Sequence, residues 1–490
     1  MLWAGTDDGL IHLTIDDGRN WKNVTPPQLP EWSTVSLIEP SPHDAAIAYV
    51  AVDRHRLDDF RPWILATHDS GQTWTLITAG IPEGAYVHAV REDPKRQGLL
   101  YAGTETGVYF SLDDGAHWQS LQLNLPNSPV HDLVVKDDDL VVATHGRSFW
   151  VLDDLTPLRQ LDAKSAQAAM ILYRPQTAIR LHYPDEVNKQ VPAGDNPPSG
   201  AIINYYFKEK PKGEVALEIL DSSGKLVRRL SSREDKRDEQ PAEWPDRVPE
   251  AKTIPAEAGM NRYAWNLRYQ DPVEIPGAFY SDTGPHGPLV IAGDYQIRLT
   301  VAGQTQTVPL HVIGDPRVHE SEDALRKQLA LLLETRERIG QLHQTVNGIR
   351  DLKSQIDSLH KRFAGEQNLS RALNQTENLK GKISAVEEQL IQVKMKGSEA
   401  NLAFPTMLNE AFDTFSHTVE QADTAPTQAQ YDAFRTLSAQ LDDQLKLWAQ
   451  IRATDLPAVN NLVRESNIPI LTVSSPGDAR SSDKPENVGN

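Results

Sequence analysis

The sequence predicts a multidomain β + α protein: a partial β-propeller of about three and a half four-stranded blades, an antiparallel β-sandwich and a C-terminal α-helical bundle. Three observations carry this. A Ser/Thr-x-Asp-x-Gly-x-x-Trp pattern recurs three times between Thr14 and Trp118. Segments of period-two alternation follow between Ala201 and Val312. From residue 317 onward apolar residues recur at steps of three and four, and residues 317–455 contain only two prolines, Pro405 and Pro426.

Length and charge narrow the function classes. At 490 residues there is room for about three domains. The 49 basic residues against 68 acidic ones leave a formal net charge of −19, which argues against DNA, RNA or anionic lipid as main partner. No run approaches the ~18–20 apolar residues of a membrane span. The absence of cysteine excludes disulfide staples, thiolate zinc and a cysteine nucleophile. The chain opens in a strand, Met1-Leu-Trp-Ala-Gly-Thr6, without the pattern of a signal peptide. It is therefore expected to be the C-terminal part of something longer.

The repeats are Thr14-Ile-Asp16-Asp-Gly18-Arg-Asn-Trp21, Thr67-His-Asp69-Ser-Gly71-Gln-Thr-Trp74 and Ser111-Leu-Asp113-Asp-Gly115-Ala-His-Trp118. Their tryptophans lie 53 and 44 residues apart, the length of one four-stranded blade. A strand precedes each copy: Leu2–Thr6, Tyr49–Val52 and Leu100–Thr104. A decayed fourth unit follows, Leu140–Thr144 then Ser148–Asp154, with Leu155 where glycine is expected. The Asp carboxylate is expected to accept backbone N–H bonds inside a hairpin turn, with Gly supplying positive φ and Trp filling the gap between blades. These residues read as structural.

The segment resembles the Asp-box (BNR-type) repeats of sialidases, xyloglucanase-type glycoside hydrolases and sortilin-type propellers. The stretch Ala143-Thr-His-Gly-Arg-Ser-Phe-Trp-Val-Leu-Asp-Asp-Leu-Thr-Pro-Leu-Arg-Gln-Leu161 resembles the last blade of large secreted bacterial BNR-repeat proteins, often labelled glycosyl hydrolase. The resemblance implies a secreted, periplasmic or cell-envelope location and further blades upstream in the parent protein. A propeller needs ~4–8 blades to close, and residues 1–161 hold fewer.

Residues 162–316 form the second zone. Ala201–Phe207, Val215–Leu220, Leu226–Leu230, Asn261–Leu267, Tyr295–Val301 and Thr307–Val312 read as strands, with a turn at Asp221-Ser-Ser-Gly224. The run Val215 to Leu230, then Trp265 and Gly293-Asp-Tyr295, resembles the Ig-like module of flagellar hook-capping proteins. The charged insertion between Ser231 and Pro255 is expected to be a long solvated loop.

Residues 317–472 form the third zone. Leu325, Leu329, Leu332, Ile339, Leu342, Val346, Ile349, Ile356 and Leu359 mark one long amphipathic helix, and Leu373, Thr376, Leu379, Ile383, Val386 and Leu390 another. Gly365 suits the reversal between them. Later helices are marked by Leu408, Phe412, Phe415 and Val419, and by a Thr427-x-x-Gln430 capping box ahead of Phe434, Leu441 and Trp448. A packed intramolecular hairpin or bundle is expected, and residues 473–490 are expected to be disordered.

Catalytic signatures are missing. There is no Gly-x-Gly-x-x-Gly, phosphate loop, His-Glu-x-x-His or Gly-x-Ser-x-Gly, and the histidines show no metal-ligand spacing. No cofactor or metal is expected. In a propeller, ligands meet the loops joining the second strand to the third and the fourth to the next blade, whereas Asp-box turns join the third to the fourth. The insertion Asp53-Arg-His55-Arg-Leu-Asp58-Asp59-Phe-Arg61-Pro-Trp63 falls on the ligand side, as do His145 and Arg147. Asp53, His55, Asp58, Asp59, Arg61, Trp63, His145 and Arg147 are the ligand-loop candidates, weighed against a solvated loop whose arginines pair its aspartates. Two functions survive. One is an extracytoplasmic binding or scaffold protein with a protein or glycan ligand. The other is a glycoside hydrolase whose carboxylates lie largely on missing blades.

Overall fold

The computed structural model describes residues 1–162, 165–182, 194, 196–233, 253–280, 284–395, 397 and 402–473. The charged run Glu234 to Glu239 and the tail from Ser474, both singled out above, lie outside those residues.

Residues 2–152 form four antiparallel sheets in chain order. The first holds β1 (Leu2–Gly5), β2 (Ile11–Thr14) and β3 (Lys22–Asn23). The second holds β4 (Thr34–Pro40), β5 (Ala48–Asp53), β6 (Ile64–Thr67) and β7 (Thr75–Leu76). The third holds β8 (Val87–Glu92), β9 (Leu100–Thr104), β10 (Gly107–Ser111) and β11 (Gln119–Ser120), and the fourth β12 (Val130–Lys136), β13 (Asp139–Thr144) and β14 (Phe149–Leu152). Each sheet is a meander, and β8 lies against both β4 and β12 while β1 lies against β4, so the set is propeller-like.

One local device builds all three repeats. The Thr14 hydroxyl donates to Asp16 (2.8 Å) and accepts from the Gly18 N–H (3.0 Å), while Asp16 accepts from the Asn20 N–H (2.9 Å). Thr67, Asp69, Gly71 and Thr73 repeat these bonds at 2.9, 2.9 and 2.8 Å. Ser111, Asp113, Gly115 and His117 do so at 2.8, 2.9 and 2.9 Å. The turn needs two successive left-handed residues: Asp17 and Gly18 (φ 59° and 89°), Ser70 and Gly71 (57° and 78°), Asp114 and Gly115 (60° and 82°). Two of the tryptophans then tie neighbouring sheets, Trp74 Nε1 donating to the Val24 carbonyl (2.8 Å) and Trp118 Nε1 to that of Ile77 (2.7 Å). Trp21 departs from the expected packing. It stays 46% exposed, because no sheet among the described residues lies on its side.

A short helix, α1 (Thr156–Gln160), closes this region, its Arg159 pairing with buried Asp93 at 2.9 Å. Two sheets then enclose a common core around Tyr205, Phe207 and Trp265. One is ordered β15 (Met170–Leu172), β17 (Ala201–Phe207), β20 (Gly259–Trp265). The other is ordered β16 (Ala178–Arg180), β22 (Gln304–Gly314), β21 (Gly293–Val301), β18 (Val215–Asp221), β19 (Leu226–Ser231). The pairing is antiparallel apart from β16, which runs parallel to β22 and so departs from the wholly antiparallel expectation. β16 is only three residues long and reaches β22 after a long excursion, which frees it from hairpin geometry.

The helices are α2 (Glu322–Arg362), α3 (Ser370–Leu390), α4 (Leu408–Glu420), α5 (Gln428–Gln450) and α6 (Leu456–Glu465). Helix α2 spans about 60 Å, with Ser321 as N-cap, Glu322 and Asp323 in its first turn, and His360, Lys361 and Arg362 in its last, all favourable to the helix dipole. Gly365 (φ 89°) reverses the chain. Lys380 then meets Asp357, and Glu387 meets Arg350 (2.8 Å), so α3 runs antiparallel to α2. The Thr427–Gln430 capping box opens α5, and a π-turn (Ile451–Asp455) joins α5 to α6. The apolar series buries Leu342, Val346, Ile349, Ile356, Ile383 and Leu390 in one core.

Ionic contacts fasten the helices to the second region. Glu420 at the end of α4 receives Arg268 (2.8 Å), His286 (3.1 Å) and the Leu289 N–H (2.9 Å), and Asp423 pairs with Arg180 (2.5 Å) and His182 (2.8 Å). Among the described residues no helix is long and apolar enough to cross a membrane.

Candidate functional site

At the end of the sheets opposite the Asp-Gly turns, one backbone feature recurs three times. Val35 pairs with Val52 and Leu37 with Ala51, so Ser36 is skipped. Val87 pairs with Thr104 and Ala89 with Gly103, skipping His88. Val130 pairs with Thr144 and Asp132 with Ala143, skipping His131. Each skipped residue is a β-bulge, which leaves it outside the ladder and re-aims its side chain. Equivalent bulges on adjoining strands bring His88 and His131 to 4.5 Å between ring centroids.

Loops extend this pair into a row. His145, between β13 and β14, stacks on His131 at 5.1 Å with planes 9° apart. Tyr86, just before β8, meets His88 edge-on at 5.1 Å, and His55, between β5 and β6, stacks on Tyr86 at 4.9 Å. Five rings, His55–Tyr86–His88–His131–His145, thus run across the second, third and fourth sheets. Carboxylates fix one end and the centre of the row: Asp53 meets His55 Nδ1 at 2.7 Å and Glu105 meets His88 Nε2 at 3.1 Å. Burial, with the nearby Glu105 carboxylate adding to it, pushes the Tyr86 phenol up to about 12. Burial also lowers the pKa of His131, and the charges that His88 and His145 would carry lower it further. Tyr86 and His131 are therefore mainly neutral at neutral pH.

The structure brings Asp53, His55 and His145 together through Tyr86, His88 and His131, with Arg147 exposed in the same loop as His145. The other candidates are placed differently. Asp59 is held by Arg54 (3.0 Å) and Arg61 (2.8 Å), whose hydrogen bonds keep its carboxyl well below the usual carboxylate range. Arg61 also lies over Trp63, 5.3 Å from its ring centre, and Trp63 is buried in the core between the first two sheets. Asp58 is exposed in a left-handed conformation after the turn His55–Leu57. Sequence reasoning missed Tyr86, His88, Glu105 and His131. The available signal was Val87-His88 and Val130-His131, the same dipeptide opening two first strands.

The described residues hold no cluster of three or more His, Asp or Glu side chains able to bind a metal. A cavity of about 540 Å³ lies elsewhere, beside α2, and its Arg350 and Lys353 are both paired with Glu387 at 2.8 Å. The ring row can stack on flat ligand faces and offer imidazole nitrogens as donors or acceptors.

No family model matches the sequence, and no curated protein does. Among solved structures, YCF48 bound to D1 peptide is similar at 14% identity over 62% of this chain and 77% of that one, with a TM-score of 0.24. The GH74 xyloglucanase from Xanthomonas campestris is similar at 15% identity over 67% of this chain and 45% of that one, also at 0.24. The extracellular domain of a hybrid two-component system from B. thetaiotaomicron is similar at 8% identity over 65% and 37%, at 0.21. These neighbours are β-propeller proteins. The chain spans less than half the length of the last two, and TM-scores this low carry no weight.

Proposed function

We propose that this chain is a non-catalytic binding and scaffold protein that holds a protein or glycan ligand on the row of rings. The observation that carries this reading is the continuity of the row: five rings from three sheets, mounted on bulges and loops at one end. The nearby carboxylates are already engaged, Asp53 with His55, Glu105 with His88 and Asp59 with two arginines. A glycoside hydrolase needs one free carboxylic acid and a second carboxylate at a set separation, so binding fits this geometry better than cleavage.

In this reading residues 1–161 are blades of an Asp-box propeller, residues 162–316 an Ig-like spacer and residues 317–472 a helical module that presents or docks the platform. The protein works outside the cytoplasm, secreted or in the cell envelope. The test exposes the full chain and its His131→Ala variant to a glycan array and to immobilised envelope proteins. The parent should retain a ligand that the equally folded variant loses. Retention by His131→Ala, or polysaccharide cleavage by the parent that Asp53→Asn abolishes, would overturn the proposal.

A further inference from the structure

The first sheet differs from its successors in two ways that share one cause. Strand β1 occupies the place of β5, β9 and β13, since it leads into the third strand and the Asp-Gly turn. Those strands pair on their other edge with β4, β8 and β12, whereas β1 pairs with β2 alone among the described residues. Tyr49, Val50, Ala51 and Val52 of β5, and Leu100, Tyr101 and Ala102 of β9, are at most 1% exposed. Leu2 of β1 is 52% exposed.

The turn of the first sheet is bare on the matching side. In the second sheet Trp74 Nε1 donates to the Val24 carbonyl, and a Cβ on Gly71 would lie 2.8 Å from Val24. In the third, Trp118 Nε1 donates to the Ile77 carbonyl, and a Cβ on Gly115 would lie 2.4 Å from Ile77. In the first, a Cβ on Gly18 would meet only the Trp21 ring, at 3.8 Å.

Within this chain both roles are filled each time by one continuous segment. Residues 22–40 supply Val24 to the turn of the second sheet and β4 to its edge. Residues 75–92 supply Ile77 and β8 to the third. We propose that the flank of the first sheet is an acceptor for one more strand–loop–strand segment of this kind, borne on polypeptide outside these 490 residues. Its chemistry follows from the two examples. A short outer strand ends in a β-branched residue that packs on Gly18 and accepts from Trp21 Nε1. A loop then leads to an inner strand with Val where Val35 and Val87 stand and an aliphatic residue three positions on, as at Ile38 and Val90. Main-chain pairing with β1 supplies affinity, as in β-strand addition. This inference is independent of the ligand assigned to the ring row.

The sequence supplies its own graft. Leu2-Trp-Ala-Gly-Thr6 aligns with Leu100-Tyr-Ala-Gly-Thr104, so residues 75–99 can be joined directly ahead of Leu2, in register. Hydrogen exchange read by mass spectrometry should show amides 2–6 and 15–24 slowed by at least roughly tenfold in the graft. Trp21→Ala should change the melting temperature little in the parent and lower it clearly in the graft. Added as a free peptide, residues 75–92 should protect the same amides of the parent at high concentration. Unchanged exchange in both formats, or an equal effect of Trp21→Ala in parent and graft, would overturn the proposal.

Discussion

Replacing Glu420 with Gln keeps the size of the side chain and removes the charge that fastens α4 to the sheets. The Glu420 side chain is 9% exposed and is met by Arg268, His286 and the Leu289 N–H. Burial alone would push its pKa up. The His286 hydrogen bond, the Arg268 charge and the Leu289 N–H outweigh that and hold it at about 2, against 4.5 for an ordinary glutamate. A depression of that size corresponds to roughly 3 kcal/mol of stability at neutral pH. The folded-state pKa lies below the unfolded one, so this contribution is complete above about pH 5 and is lost as pH falls towards 2. Glu420→Gln should therefore cost about 3 kcal/mol at pH 7, and the difference from the parent should shrink steadily below pH 4.5. Urea unfolding followed by far-ultraviolet ellipticity, on both proteins at pH 7 and about pH 3, measures this. Other carboxylates titrate in both proteins and cancel in the difference. A penalty below about 1 kcal/mol at pH 7, or one that does not change with pH, would refute the reasoning.

Further outcomes follow from the repeats and the row. Gly115→Ala forces a Cβ onto φ 82° and against Ile77, whereas Gly18→Ala strains φ 89° but meets only the Trp21 ring at an ordinary 3.8 Å. Thermal melts should show the first costing about 2–4 kcal/mol and the second about 1 kcal/mol. His88→Ala opens His131 to water and removes an imidazole whose charged form would oppose its protonation, so the His131 pKa should rise towards 6.5, which an NMR titration of its ring protons reports. Thr427→Ala breaks the capping box of α5 and should cost about 1 kcal/mol, visible as a lower midpoint in chemical unfolding.

Where the determinants are local, the sequence revealed them. The Asp-Gly turns were legible because every bond spans four residues or fewer, from Thr14 to Gly18 and from Asp16 to Asn20. The long helices were legible through their spacing, as was the Thr427–Gln430 cap. Strands β15 and β16 were missed, being three residues each and too short to show alternation. The attachment of α4 was invisible because Arg268 and Glu420 lie 152 positions apart. For the candidate site, sequence reasoning picked out loops that the structure places at one end of the sheets, but not what fills the space between them. A bulge is a slip in pairing between two strands, and nothing in Val87-His88-Ala89 by itself announces that His88 is left out of the ladder.

That omission has an evolutionary consequence. Ser36, His88 and His131 occupy the same place in three copies of one unit, yet one is a small hydroxyl and two are imidazoles. Their neighbours Val35, Val87 and Val130 are the same residue in all three. A position outside the ladder carries no duty in pairing, so its identity can drift without penalty to the sheet. The repeat thus divides its inner strands into letters that are fixed and a letter that is free. Duplication of such a unit multiplies variable positions at one end of the molecule while copying its frame unchanged.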